Sequence, residues 1–285
     1  MSRSAVRGLG PDHVRSSAAL IRDGRVIDLA IDLDSERLPP LDAAFGRPLR
    51  LETIIDPAEW IARVGSGPSG FHLDAFGGSI HAGTHIDGFA HIVHEGRIFG
   101  GAREADARTD RGWTTAGAET IPPIVGRGIL IDLVRVRGGR PLEGSHGITI
   151  DELTEAMEET GAELTPGDIV LVRTGKIREL AGDRSRFLDR QPGIGVAAAI
   201  WLAEHGMVVY GSDTGGTEPQ PVTDWTRTVH VELLTVRGIH LIEWLALDEL
   251  AEVLEASQRT DFLFVAAPLR IVGATGSWIR PIAIT

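Results

Sequence analysis

Short runs rich in Val, Ile and Leu recur through the last two thirds of the chain, each cut off by Gly, Pro or a charged residue. They are Gly128–Val134 (GILIDLV), Asp168–Arg173 (DIVLVR), Met207–Gly211 (MVVYG), Gly238–Ile242 (GIHLI) and Phe262–Ala267 (FLFVAA). Their length and β-branched content are those of buried strands. Helix signals fall between them. Thr149 and Glu152 stand at capping-box spacing, and Ile150, Leu153 and Met157 continue a helical stripe to Gly161. Pro192 to His205 is Ala-rich and closes at Gly206, and a third helix is expected from Asp248 to Ala256. Strands interleaved with helices specify an α/β fold. The first third carries fewer helix signals, so the expected sheet is a central mixed or barrel-like one flanked by helices. Asp32 to Arg47, with Pro39 and Pro40, reads as a loop. Residues 1–25 lack a clear period and read as a loosely docked N-terminal arm, with one domain over 26–285.

Composition narrows the chemistry. There is no cysteine, so disulfides, thiol nucleophiles, thiolate zinc sites and iron–sulfur clusters are excluded. The net charge of −12 disfavours nucleic acid, whose phosphates require clustered Lys and Arg. No apolar stretch approaches the roughly 18–20 residues that span a bilayer, and the N-terminus has no apolar h-region. A soluble, cytoplasmic protein acting on a small molecule is the expectation. Gly215–Gly216 lacks the spacing and the following Lys of a phosphate loop.

Histidine is the informative residue. Of the ten, five lie between His72 and His94, and the densest stretch is His81-Ala-Gly-Thr-His85-Ile-Asp87-Gly-Phe-Ala-His91. In an extended chain, residues two apart face the same side about 6.6 Å apart. His85 and Asp87 can therefore converge on one cation at ligand distances of about 2.1 Å. His81 would sit roughly 13 Å from His85 in a straight strand, too far to share that cation. A helix would bring the pair together, but Gly83 and β-branched Thr84 oppose one. A strand kinked or bulged at Gly83 is the better solution, with Thr84 placed to bond a ligand carboxylate or ring N–H.

The segment His81-x-Gly83-Thr84-His85-x-Asp87, followed by His91, resembles the signature of the putative cyclase family, which includes kynurenine formamidases and isatin hydrolases. Later blocks resemble the family in the same order: Gly126–Asp132, Gly167-Asp168 with Arg173–Gly175, Gly211–Thr214, and His230 with Leu233-Leu234 and Glu243. The resemblance covers roughly residues 70–285. It implies the swivelling β/β/α cyclase-like fold, His81, His85 and Asp87 as ligands of Zn²⁺ or Mn²⁺, and His91 as general base or acid. His230 and Glu243 match the residues that hold a second metal, and a homo-oligomer, dimer or tetramer, is implied as well. Asp213 is an expected outer partner of the ligands. Phe89 stands where the family commonly has proline, and the stretch between His91 and Gly126 is that of longer members.

The expected function is metal-dependent hydrolysis of a C–N amide, lactam or imide-like bond. Metal lowers the pKa of water and polarises a carbonyl, and a histidine returns the proton to the leaving nitrogen. A non-haem Fe(II) oxygenase using His85, Asp87 and His230 is an alternative, as are a lactonase or ring-closing variant and a non-catalytic metal binder. Phe71, His72, Phe89 and Trp225 are expected to line a substrate pocket. His240 reads as structural, and Trp201 and Trp244 as interface residues if exposed.

Overall fold

The strand-like runs come together side by side. In the computed structural model, residues 4–36, 38, 48–65, 67–182 and 187–285 are described, so residues 37 and 39–47 of the expected loop lie outside them. In chain order the strands are β1 (Val26–Asp28), β2 (Arg50–Ile55), β3 (Leu73–Gly77), β4 (His85–Asp87), β5 (Arg108–Thr109), β6 (Gly112–Trp113), β7 (Ile124–Asp132), β8 (Gly147–Ile148), β9 (Ile169–Arg173), β10 (Gly193–Ile194), β11 (Val209–Ser212), β12 (His240–Glu243), β13 (Asp261–Ala266), β14 (Gly276–Trp278) and β15 (Ile282–Ile284). The helices are α1 (Pro11–Ala18), α2 (Pro57–Val64), α3 (Glu104–Ala107), α4 (Leu133–Val136), α5 (Ile150–Thr160), α6 (Val196–Glu204) and α7 (Asp248–Ala256).

Nine strands form one mixed sheet in the order β1-β15-β13-β7-β9-β11-β12-β4-β14. Its centre, β7-β9-β11-β12, is parallel, and β13 and β4 add antiparallel on either side. The central strands are buried on both faces, which is why they read as continuous apolar runs rather than alternating ones. Leu250 and Leu254 of α7 join one core cluster, while Leu153 of α5 and Ala198 and Leu202 of α6 join another. The capping box at Thr149 and Glu152 forms as expected and starts α5. The helix expected from Pro192 begins only at Val196, because Gly193 and Ile194 pair with Gly147 and Ile148 instead.

Two expectations about the periphery change. Residues 4–25 include α1, which packs on β7 and β13, and Val6, which is buried in the main core. Trp244 is wholly buried against Phe187, ring centroids 4.6 Å apart, and so is not interface material. Trp201 is half-buried against His205. The unit β2-α2-β3 has the opposite character. Leu51, Ile54, Phe71, Leu73 and Phe76 are all exposed there, Leu51 by 70%. No helix among the described residues is long and apolar enough to cross a membrane.

Candidate metal centre

Two turns fold the histidine segment onto the short strand β4. Ahead of the strand, Ala82 N–H donates to Ser79 O at 3.2 Å and Gly83 adopts φ +78°. That left-handed position suits glycine, and a Cβ there would meet Leu33 at 2.3 Å. The kink expected at Gly83 therefore exists, with His81 in the turn ahead of the strand. After the strand, His91 N–H donates to Gly88 O at 2.9 Å and swings the His91 ring back under His81. The two rings stack with centroids 4.1 Å apart. On the neighbouring strand, Gly276 pairs with Asp87, and a Cβ on it would lie 3.0 Å from the His81 ring.

The remaining groups arrive from β12 and from the segment before it. Glu243 pairs with His85 across β12 and β4. His230 immediately precedes Val231–Arg237, which winds as a π-helix, an irregularity that often marks functional positions. Both carboxylate oxygens of Glu218 hold His230: Oε1 accepts from its backbone N–H at 2.7 Å, and Oε2 lies 2.5 Å from Nδ1. The ring's other nitrogen, Nε2, is thereby aimed at Asp87 Oδ2, 3.4 Å away, and Glu243 Oε1, 3.5 Å away. His85 is oriented in the same way. Its Nδ1 donates to Gly83 O at 2.8 Å, leaving Nε2 3.5 Å from Asp87 Oδ1 and 3.6 Å from Glu243 Oε2.

These separations can be tested against a cation. Four donors about 2.1 Å from a tetrahedral ion stand about 3.4 Å from one another, close to the spacings around His85 and His230. His85 Nε2 and both Asp87 oxygens are buried without a hydrogen-bond partner among the described residues. His81 Nδ1 is likewise unbonded, since its 2.9 Å approach to Asp87 Oδ1 lacks hydrogen-bond alignment. Such groups are costly when buried alone. Together with Thr275 on His81 Nε2 at 2.9 Å and Thr217 donating to Glu243 Oε1 at 2.7 Å, they form an oriented oxygen and nitrogen donor set. The set fits a divalent cation.

The geometry divides the donors differently from the sequence spacing. His81, Asp87 and His91 form one group with all ligand atoms within 4.8 Å, and His85, Asp87 and Glu243 form another. Asp87 belongs to both. Electrostatics follow from this crowding. Burial pushes Asp87 up, but the surrounding histidines outweigh it and hold the carboxyl well below its usual range. Burial and the nearby Asp87 raise Glu243. Burial lowers His230, yet Glu218 and Asp87 lift it well above its ordinary value. Burial, with the other histidines adding to it, takes His91 down to about 3.

Several expected roles do not survive. Thr84 bonds no ligand: its hydroxyl accepts from Ile31 N–H at 2.9 Å and donates to Trp244 O at 2.7 Å. It ties β4 to the chain beyond β12. Thr84→Val should cost about 1–3 kcal/mol by leaving these backbone groups unpaired. Thermal unfolding should show that loss with metal stoichiometry unchanged; loss of metal at unchanged stability would restore the outer-partner role. Asp213 accepts from Thr174 N–H at 2.8 Å, Thr174 Oγ1 at 2.6 Å and Gly175 N–H at 2.7 Å. It therefore clamps the turn after β9, and burial raises its pKa to about 6. Phe89 turns into the core, its ring on His240 at 4.0 Å and on Phe99 at 4.5 Å. Phe71 rests on Trp60 and is exposed, as is His72, and Trp225 is 65% exposed in the loop before His230. Sequence reasoning missed Glu218, whose only signal was its place in the Thr217-Glu218 step after the paired glycines.

Comparison with known proteins agrees with this picture. A family model described as putative cyclase matches residues 27–219, which include the histidine segment and stop short of His230 and Glu243. A crystal structure described as a novel cyclase is 30% identical, with 99% of this chain and 94% of that one covered at a TM-score of 0.89. Isatin hydrolase A from Ralstonia solanacearum is 24% identical, with 91% of each chain covered and a TM-score of 0.64. Isatin hydrolase A from Labrenzia aggregata, bound to benzyl benzoate, is 22% identical, covering 91% of this chain and 93% of its own at a TM-score of 0.67. These two share the fold. No curated protein matches the chain.

Proposed function

Because the chain belongs to the putative cyclase family, we propose that it is a metal-dependent hydrolase cleaving a C–N amide, lactam or imide-like bond of a small molecule. The observation that carries this reading is the buried carboxylate of Asp87, shared by two His and carboxylate groups whose ligand atoms lie within 4.8 Å of one another. His81, His85, Asp87, His230 and Glu243 would hold the metal, Mn²⁺ or Zn²⁺. When bound, a divalent cation there supplies a Lewis acid that polarises a carbonyl and acidifies water beside it.

The protein's own contribution is proton handling and orientation. Burial keeps His91 in its neutral form, and its place beside His81 and Asp87 puts an imidazole where it can accept a proton from attacking water. The same imidazole returns that proton to the leaving nitrogen, a step amides require because an unprotonated amide anion is a poor leaving group. Glu218 keeps His230 Nε2 facing the carboxylates, and Gly83 O does the same for His85. An assembly of two or four copies belongs to the same proposal, and the exposed apolar side chains of β2-α2-β3 support it.

Metal analysis of the purified protein, followed by an amide, imide and lactone panel with Mn²⁺ or Zn²⁺ restored, tests the function. Turnover of an amide or imide that disappears on chelation is expected. A stoichiometry near two supports His230 and Glu243 as ligands of a second metal, and one near one leaves only one of the two donor groups around Asp87 in use. A protein that holds metal but turns over only lactones, or nothing on the panel, would overturn the C–N assignment.

A further inference from the structure

His240, a histidine expected to be structural, has one ring nitrogen with no hydrogen-bond partner among the described residues. Its Nδ1–H donates to Asp87 O at 2.8 Å, which fixes the tautomer and leaves Nε2 as an acceptor. His240 is 1% exposed, and Nε2 is buried with no hydrogen-bond partner among the described residues. Along β12, His240 and Glu243 are three residues apart, so their side chains leave opposite faces of the strand. His240 thus looks away from the carboxylates of the metal centre.

His240 is one of the residues that line a cavity of about 710 Å³, with Ser4, Arg7, Phe89, Phe99 and Thr120 among the others. Ser4 belongs to the same lining, and its Oγ is a second buried polar atom with no hydrogen-bond partner among the described residues. The wall it belongs to is held in place by Ala5 N–H donating to Gly238 O at 2.9 Å. At the exposed side, Arg7 spends one nitrogen on Thr120 O at 3.0 Å and keeps further N–H donors of its guanidinium. Phe89 and Phe99, their rings tilted 43° to each other with centroids 4.5 Å apart, supply apolar surface. The size is that of small-molecule pockets, and the lining joins an apolar body to a few convergent polar groups.

From this arrangement we infer that the cavity is a second ligand site, for a small planar organic acid that also carries a hydroxyl or N–H donor. The donor meets His240 Nε2, the carboxylate meets Arg7, and the ring lies against Phe89 and Phe99. This assignment does not rest on the hydrolase reading, because it uses no group that faces the metal.

The probe is 3-hydroxybenzoate, titrated calorimetrically into the metal-loaded protein, with benzoate as the analogue lacking the donor. Saturable binding of 3-hydroxybenzoate is expected, with benzoate about tenfold weaker, the discrimination of one lost hydrogen bond to a buried acceptor. Arg7→Gln, a change at an exposed residue, should weaken the hydroxy acid about tenfold as well. Absence of saturable binding overturns the site. So does affinity unchanged in both Arg7→Gln and Ser4→Ala, which would place the acid at the metal centre instead. A crystal soaked in 3-hydroxybenzoate that shows only a water on His240 Nε2 overturns it too.

Discussion

Asp87→Asn should leave a protein that folds but binds its divalent metal at least about 100-fold more weakly, since loss of even an outer partner of a ligand costs about 10–100-fold. The reason is the position of the carboxylate: its oxygens face His81, His85 and His230 at 2.9, 3.5 and 3.4 Å, and it is shared by both donor groups. The asparagine is close in shape but contributes no charge and only one good acceptor. Metal-free protein should lose stability as well. There, burial opposes the Asp87 charge but the surrounding histidines outweigh it, so replacing the carboxylate leaves those imidazoles without their partner. Metal-free Asp87→Asn should therefore unfold at a lower temperature than the metal-free wild type. Added metal, free at a thousandfold above the wild-type Kd, should stabilise the wild type by about 4 kcal/mol and the variant by about 1.4 kcal/mol or less. Wild-type metal content together with wild-type stabilisation by metal in the variant would refute the placement of Asp87 at the centre.

His91→Ala should reduce turnover about 10²–10⁴-fold, the usual contribution of a positioned acid or base. Metal content should remain that of the wild type if His91 handles protons only. The stacking of its ring on His81 and its grouping with His81 and Asp87 make the metal measurement decisive. Metal lost in parallel with activity would show that His91 is a ligand, and full activity would remove it from the site altogether. The two variants separate roles that activity alone merges: one is read by binding, the other by turnover at constant occupancy.

How far the sequence was legible varied with the range of the interactions involved. Strands β7, β9, β11, β12 and β13 were readable because they are buried on both faces, so that each is an apolar run with sharp ends. Helix α5 was readable because its capping box is a contact between Thr149 and Glu152, three residues apart. The start of α6 was not, since the pairing of Gly193 and Ile194 with Gly147 and Ile148 overrides a local helix signal. Trp244 carries no sequence mark of its complete burial, which is decided by Phe187 and the turn that follows β12.

The same distinction holds within the site. The kink at Gly83 was deducible, because Gly83 and Thr84 oppose the helix that would also bring His81 near His85, and φ +78° is what glycine accepts. The directions of Thr84 and Asp213 were not. A hydroxyl or carboxylate bonds whatever donors the fold presents, here Ile31 and Trp244 for one and Thr174 and Gly175 for the other. Glu218 went unnoticed because an acidic residue twelve positions before a histidine has no periodic relation to it, although it sets the tautomer of His230.

By itself, then, the sequence determined that the chain is α/β, that any metal must be held by imidazole and carboxylate for want of cysteine, and that a glycine-kinked histidine segment is where such a metal would sit. Those are consequences of residue chemistry and of geometry over a few residues. The tertiary structure decided the partnership: β4 pairs with β12, which sets Glu243 beside His85, and the segment before the π-helix brings His230 to the far oxygen of Asp87. Distances between residues so remote in the chain are set by sheet register and core packing, and neither is written in local sequence.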